Sequence, residues 1–187
     1  MDCLPGVNTF AHYLIKRCVK SGSFVVDATC GNGNDTLFLA ELVGNGGLVY
    51  AFDIQKKALE ITEGRLQEKG LLDRVHLVHD GHENLSNYVK QPVSAAMFNL
   101  GYLPGGDHQL VTRSLTTIKA LHQLVSLLER KGIITIVCYT GHPGGASEAK
   151  DILNYSQQLD YQKWVVIRYD YVNQKNNPPF VIAFERR

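Results

Sequence analysis

Short apolar, β-branched runs alternate with amphipathic stretches along most of the chain. Seven of these runs predict strands, at 23–28, 47–53, 74–79, 93–98, 132–138, 163–170 and 179–185. They are apolar on both faces for most of their length, as strands buried inside a parallel sheet must be. Helical patterns fill the gaps at 8–20, 34–43, 55–69, 82–90, 114–130 and 145–158. In the first of these, Phe10, Leu14 and Cys18 recur at spacing four, with Asn8 or Thr9 placed to cap the helix. Residues 55–69 mix Leu59, Ile61 and Leu66 with many charges, which suits an exposed helix. Ile118, Leu121, Val125 and Leu128 share one face of 114–130, and Gly132 reads as its stop.

The order is strand then helix, five times over, followed by two strands. The stretch joining those two, 171–178, is short and rich in Asn and Pro, so they read as a hairpin. This alternation predicts an α/β fold, a mostly parallel sheet covered by helices on both faces, with one antiparallel strand from the hairpin. Ligands on such sheets bind beyond the carboxyl ends of the strands. A length of 187 residues is that of one domain, 1–187, able to bury its own core. With 44% hydrophobic and 20% charged residues, the chain is neither disordered nor a small disulfide scaffold. No apolar run reaches the ~18 residues of a membrane span, and the start lacks the basic and apolar segments of a signal peptide. Cys3, Cys18, Cys30 and Cys138 are scattered with no CxxC, as in a reduced, cytoplasmic protein. Net charge is +1, unlike a strongly basic nucleic-acid coat protein. Nine basic and 11 acidic residues precede residue 100, and 10 and 7 follow it, which permits a local RNA-binding face. Lys16, Arg17, Lys20, Arg113, Lys119 and Lys175 are candidates for it, though each also reads as a solvated surface charge.

The polar residues collect just after the strands. The first is followed by Asp27-Ala28-Thr29-Cys30-Gly31-Asn32-Gly33-Asn34-Asp35-Thr36. Its Gly-x-Gly turn lets backbone approach a ligand closely. Thr36 stands where a dinucleotide fingerprint has its third glycine, and Asp27 would repel a pyrophosphate but accept from an amine. The turn therefore suits a ligand with an amino-acid moiety; a tight turn holding no ligand is the alternative. Asp53 follows the second strand, 20 residues after Gly33, where a carboxylate can take both ribose hydroxyls or merely cap the next helix. After the third strand, Asp80 can accept from an adenine amine or cap 82–90. Asn99 and Tyr102 belong to a glycine- and proline-bounded loop after the fourth, Asn99 offering donor and acceptor and Tyr102 a face for stacking a base, unless the loop is only a turn. Tyr139-Thr140-Gly141-His142-Pro143-Gly144-Gly145 follows the fifth, and its histidine is either catalytic or an ordinary satisfied polar group. The seven histidines and four cysteines show no metal-ligand spacing.

With Asp27-x-x-x-Gly31-x-Gly33, Asp53 and Asp80 at successive strand ends, the chain resembles a class I S-adenosylmethionine-dependent methyltransferase. That resemblance implies a Rossmann-like, seven-stranded sheet of order 3-2-1-4-5-7-6 with strand seven antiparallel. The stretches from Asp27 to Thr36 and from Asn99 to Asp107, Thr116-Thr117-Ile118-x-Ala120-Leu121 and Gly141-His142-x-Gly144-Gly145-x-x-Glu148 narrow it. They resemble a small bacterial rRNA-methylase family whose members are tRNA 5-aminomethyl-2-thiouridine methyltransferases. One departure is Ser114-Leu115, where that family has Pro-Glu.

The resemblance implies methylation of the aminomethyl nitrogen of the tRNA wobble uridine, with S-adenosyl-L-methionine as cofactor and the anticodon loop as partner. The cofactor residues it implies are Asp27 with Gly31, Asn32, Gly33, Asn34 and Asp35 for the methionine part, Asp53 for the ribose, and Asp80, Gly81 and His82 for the adenine, with Thr29 and Gln55 also among the cofactor-binding residues. Asn99, Tyr102, Tyr139 and His142 are its catalytic candidates. An rRNA methyltransferase or a small-molecule N- or O-methyltransferase would share the same cofactor residues. The oligomeric state stays open, a homodimer included.

Overall fold

The computed structural model describes residues 3–101 and 111–187. Its strands are β1 (Phe24–Asp27), β2 (Leu48–Asp53), β3 (Val75–His79), β4 (Val93–Leu100), β5 (Leu128–Cys138), β6 (Trp164–Tyr169) and β7 (Phe180–Arg186). The helices are α1 (Val7–Cys18), α2 (Asn34–Val43), α3 (Lys56–Glu68), α4 (Ser114–Leu127) and α5 (Gly145–Gln157). One sheet runs β3-β2-β1-β4-β5-β7-β6, and β7 lies antiparallel to both β5 and β6. This is the predicted order, with the predicted terminal hairpin.

Alternation along the strands divides the core in two. Val26, Phe52, Phe98, Ile136 and Phe184 face α4 and α5 on one side of the sheet. Val25, Ala51, Met97, Val137 and Val181 face α1 and α2 on the other. No helix among the described residues is long and apolar enough to cross a membrane.

Three local expectations change. The face that α1 buries most deeply is Val7, Ala11 and Ile15, with Phe10, Leu14 and Cys18 only partly buried beside it. Its N-cap is Gly6, and neither Asn8 nor Thr9 caps it. The 82–90 helix is a 3-10 segment, His82–Asn87, as befits a stretch of Asn, Ser and His, which are poor helix formers. Finally, α4 stops at Leu127 and β5 begins at once. Val93 pairs with Leu128 but Ala95 with Ile133, so residues 129–131 loop out of the ladder as an exposed bulge. Gly132 therefore closes a bulge rather than a helix. A Cβ there would lie 3.0 Å from the Ser94 carbonyl oxygen of β4.

Candidate active site

The loops at the carboxyl ends of β1 to β5 surround a cleft of about 1050 Å³, which the amino-terminal half of α1 also lines. That is at the upper end of the range for small-molecule sites.

The floor is the turn after β1. Gly31 and Gly33 adopt φ of 51° and 79°. A Cβ on Gly33 would lie 2.6 Å from Thr62 Oγ1 of α3. The turn is also hydrogen-bonded on several sides. Cys30 N donates to Phe52 O (2.8 Å), Thr62 Oγ1 donates to Gly31 O (3.1 Å), and Arg65 donates to Asn32 O and to Asn34 Oδ1. Gly33→Ala adds left-handed strain to this overlap and is expected to cost about 2–3 kcal/mol of stability. Urea denaturation measures it, and a loss under about 0.5 kcal/mol would show that the turn relaxes freely. Among the described residues no side chain caps the α2 N-terminus, whose N-cap is Gly33, so its first-turn amides suit a carboxylate such as that of an amino acid.

Asp53 joins two loops. Its Oδ2 accepts from Gly31 N and its Oδ1 from Gln55 N, both at 2.8 Å. It lines the cleft, but α3 has Gln55 as N-cap without a side-chain cap bond, so Asp53 is not a helix cap. Asp80 accepts from Asn84 Nδ2 (2.9 Å), Gly81 N (2.8 Å) and Tyr88 Oη (3.0 Å). The Asn84 bond, first among these, holds its carboxyl below the usual carboxylate range. His82 is buried and pairs through Nδ1 with Ala28 O at 2.9 Å. A carbonyl only accepts, so Nδ1 carries the proton and Nε2 is an acceptor. That Nε2 has no partner among the described residues, and burial pushes the imidazole pKa down, which keeps it neutral.

Asp27 departs from its expected role. It is fully buried and does not line the cleft, so it cannot touch an amino group bound there. Its carboxylate accepts from Thr36 Oγ1 (2.6 Å) and Thr29 N (3.2 Å) beneath the turn. Gly33 likewise shapes the turn without lining the cleft. Burial, and then the neighbouring Asp35 charge, push the Asp27 carboxyl up to about 7. The folded state thus holds this proton more tightly than the unfolded chain does. Its stabilising contribution is complete below about pH 4 and is lost as pH rises through about 7. Asp27→Asn does not titrate, so its Tm is expected to fall less than that of the unaltered protein between about pH 5 and about pH 8. Equal falls would mean that Asp27 ionises normally.

Asp35, the second residue of α2, is the carboxylate that does line the cleft. Its Oδ1 lies 2.6 Å from His12 Nε2, and its Oδ2 accepts from Asn99 Nδ2. Asn99 N donates to Thr29 Oγ1 (2.7 Å), and Asn99 Oδ1 has no partner among the described residues. Beyond Asn99, Gly101 N donates to Thr112 Oγ1 (3.0 Å) and Thr112 N to Gly101 O (3.0 Å), which ties Gly101 to Thr112. Thr112 and Thr117 both donate to the buried Glu148 of α5 (2.7 and 2.8 Å), which explains the glutamate of the Gly141–Glu148 stretch. Tyr102 lies outside the described residues. Tyr139 and His142 reach the cleft from β5, and the Tyr139 hydroxyl accepts from Asn8 Nδ2 at 3.2 Å.

Thr29, Gly31, Asn32, Asn34, Asp35, Asp53, Gln55, Asp80, Gly81, His82, Asn99, Tyr139 and His142 thus meet around one cleft. Sequence reasoning missed Asn8 and His12. Their signal was a polar pair at spacing four on α1, one residue beyond the buried Val7 and Ala11.

The profile of the family described as "Putative rRNA methylase" matches residues 49–185. An Arabidopsis thaliana relative, the chloroplastic tRNA (mnm(5)s(2)U34)-methyltransferase, is 38% identical over 186 residues, which covers 94% of this chain and 68% of the relative. A Clostridium thermocellum protein of the same description as the family is 47% identical with a TM-score of 0.97, and the match covers both chains completely. A Streptococcus mutans protein solved in complex with SAH is 36% identical with a TM-score of 0.91, covering 98% of this chain and 99% of that one. The chain belongs to this rRNA methylase family and is a methyltransferase of the class I fold.

Proposed function

We propose that the protein uses S-adenosyl-L-methionine to methylate the aminomethyl nitrogen of 5-aminomethyl-2-thiouridine at the wobble position of tRNA. The observation that carries this reading is the Asn99 side chain. Asn99 lines the cleft where the loops after β1 and β4 meet, and its Oδ1, itself buried, has no hydrogen-bond partner among the described residues, which leaves an acceptor for an N–H nucleophile. The name of the Arabidopsis relative supports the same substrate.

The cleft fits the cofactor. His82 Nε2, which has no partner among the described residues, and the Asp80 loop suit the adenine edge, and Asp53, with lone pairs left on both oxygens, suits the ribose hydroxyls. The uncapped α2 amides and the Thr29–Asp35 turn suit the methionine part. When bound, the cofactor supplies an electrophilic methyl group on a sulfonium, which leaves its electron pair on sulfur as the amine takes the methyl.

The chain has little covalent work to do. Alignment of a bound nucleophile supplies ~7–11 kcal/mol. The amine must arrive neutral, since an ammonium has no lone pair. Asn99 Oδ1 accepts one amine N–H and so aims the lone pair. We assign Tyr139 and Tyr102 to the flipped base. His142 holds the anticodon loop or takes the proton that the product ammonium releases. Arg113, exposed at the cleft, is placed to meet a phosphate. We assign the reaction to the cytoplasm, a reading supported by four free thiols.

The test offers two RNAs separately with the cofactor: tRNA halted at the aminomethyl stage and unmodified rRNA. Nucleoside mass spectrometry is expected to show one added methyl on the wobble nucleoside alone. A methyl only on rRNA would overturn the tRNA assignment and the amine chemistry with it.

A further inference from the structure

We infer that His12 and Asp35 decide which end of the Asn99 amide is offered to the substrate, and so make the site specific for a nucleophile that carries N–H groups. This inference rests on the function proposed above. Both residues lie outside the segment matched by the family profile.

The chemistry of the three side chains leaves one arrangement. An ionised carboxylate has only acceptors. Only the NH₂ end of Asn99 can therefore face Asp35 Oδ2, and the carbonyl end is left over. The backbone beneath is fixed as well, because Asn99 N donates to Thr29 Oγ1. The other carboxylate oxygen is held by His12 Nε2 at 2.6 Å. The imidazole itself is clamped by a parallel stack on Phe38, with ring centroids 3.8 Å apart and planes 6° apart. Asp35 is thus fixed from both sides with little exposure to water. Without the His12 donor, the Asp35 carboxylate is free to turn about its side-chain bonds and let go of the Asn99 NH₂ group. The amide is then free to flip, and its NH₂ group would point at the substrate amine, donor against donor. His12 and Asp35 are positioning residues in this scheme, since Asn99 alone touches the nucleophile.

Two substitutions separate donor from stacking. His12→Phe keeps a ring on Phe38 and loses the donor; His12→Gln loses the ring and keeps an N–H donor. With the full chain and aminomethyl tRNA, His12→Phe is expected to lower kcat about tenfold or more, while cofactor Kd and the KM for tRNA stay within about twofold. His12→Gln is expected to recover the larger part of that loss. A His12→Phe kcat within about twofold of the unaltered protein overturns the inference. So does a His12→Gln loss equal to that of His12→Phe, or a fall in cofactor affinity that matches the fall in kcat. A second readout needs no substrate. In protein labelled with ¹⁵N-asparagine, the Asn99 side-chain amide signal is identified by its loss in Asn99→Asp. Held by the carboxylate, it is expected to move in His12→Phe and to stay in place in His12→Gln; a signal unmoved in both overturns the inference. If the unaltered protein methylates no tRNA, the proposed function fails, and the amide signal alone decides the positioning claim.

Discussion

Asn99→Ala is expected to lower kcat on aminomethyl tRNA by about 10²-fold or more, with cofactor Kd changed by less than about threefold. The asymmetry follows from where Asn99 sits. Its backbone N–H to Thr29 Oγ1 survives the substitution, so the loops after β1 and β4 stay joined. What is lost is the side-chain acceptor that aims the amine, an interaction needed on the way to the transition state. The partner of its NH₂ group, Asp35 Oδ2, keeps its carboxylate held by His12 and gains the space that the Asn99 side chain vacates beside the cleft, which a water can fill. That limits the stability cost and keeps the variant measurable. Single-turnover kinetics with saturating cofactor gives kcat without product release. A kcat within about threefold of the unaltered protein would remove Asn99 from the nucleophile's path.

Asp53→Ala is expected to act on the cofactor, raising its Kd by about 10²-fold to 10³-fold. Hydrogen bonds to a charged group are worth about 1.5–3 kcal/mol each, and a ribose offers two hydroxyls, so a loss of about 3–4 kcal/mol is in range. The loops gain slack in addition, because the same carboxylate ties Gly31 N to Gln55 N. Titration calorimetry with the cofactor reads the effect. The Tm without cofactor separates loss of the tie from loss of the ribose contact. Unchanged affinity would remove the ribose assignment, whatever the Tm.

The fold was legible because its strands are buried on both faces. Runs such as Phe-Val-Val-Asp and Gly-Ile-Ile-Thr-Ile-Val-Cys have few alternatives to a central parallel strand, and the Asn- and Pro-rich 171–178 stretch cannot hold a crossover helix. Thirteen of the predicted site residues meet at one cleft because each lies at or just beyond the carboxyl end of a parallel strand, and that follows from order alone. Direction along the chain does not say how deep a side chain lies. Asp27 and Asp35 read alike, yet the strand end sinks Asp27 under the turn while the first turn of α2 brings Asp35 up to the cleft. His12 was hidden for a different reason. Phe10, Leu14 and Cys18 indicate a hydrophobic face for α1 that lies one residue away from the deeply buried Val7, Ala11 and Ile15, and that shift misplaces the Asn8–His12 edge. Gly132 shows the limit of single-residue signals, since a glycine that stops a helix and one that closes a bulge are the same letter.

The central claim, transfer of a methyl to the wobble aminomethyl nitrogen, is tested most directly with a donor whose methyl carries deuterium. The protein is incubated with that donor and aminomethyl tRNA, the tRNA is digested, and the wobble nucleoside is fragmented in the mass spectrometer. The account predicts that the label leaves with the aminomethyl side chain as labelled methylamine, and that the ribose and ring fragments stay unlabelled. Label retained on the ribose, the ring or the sulfur, or confined to another nucleoside, would contradict it.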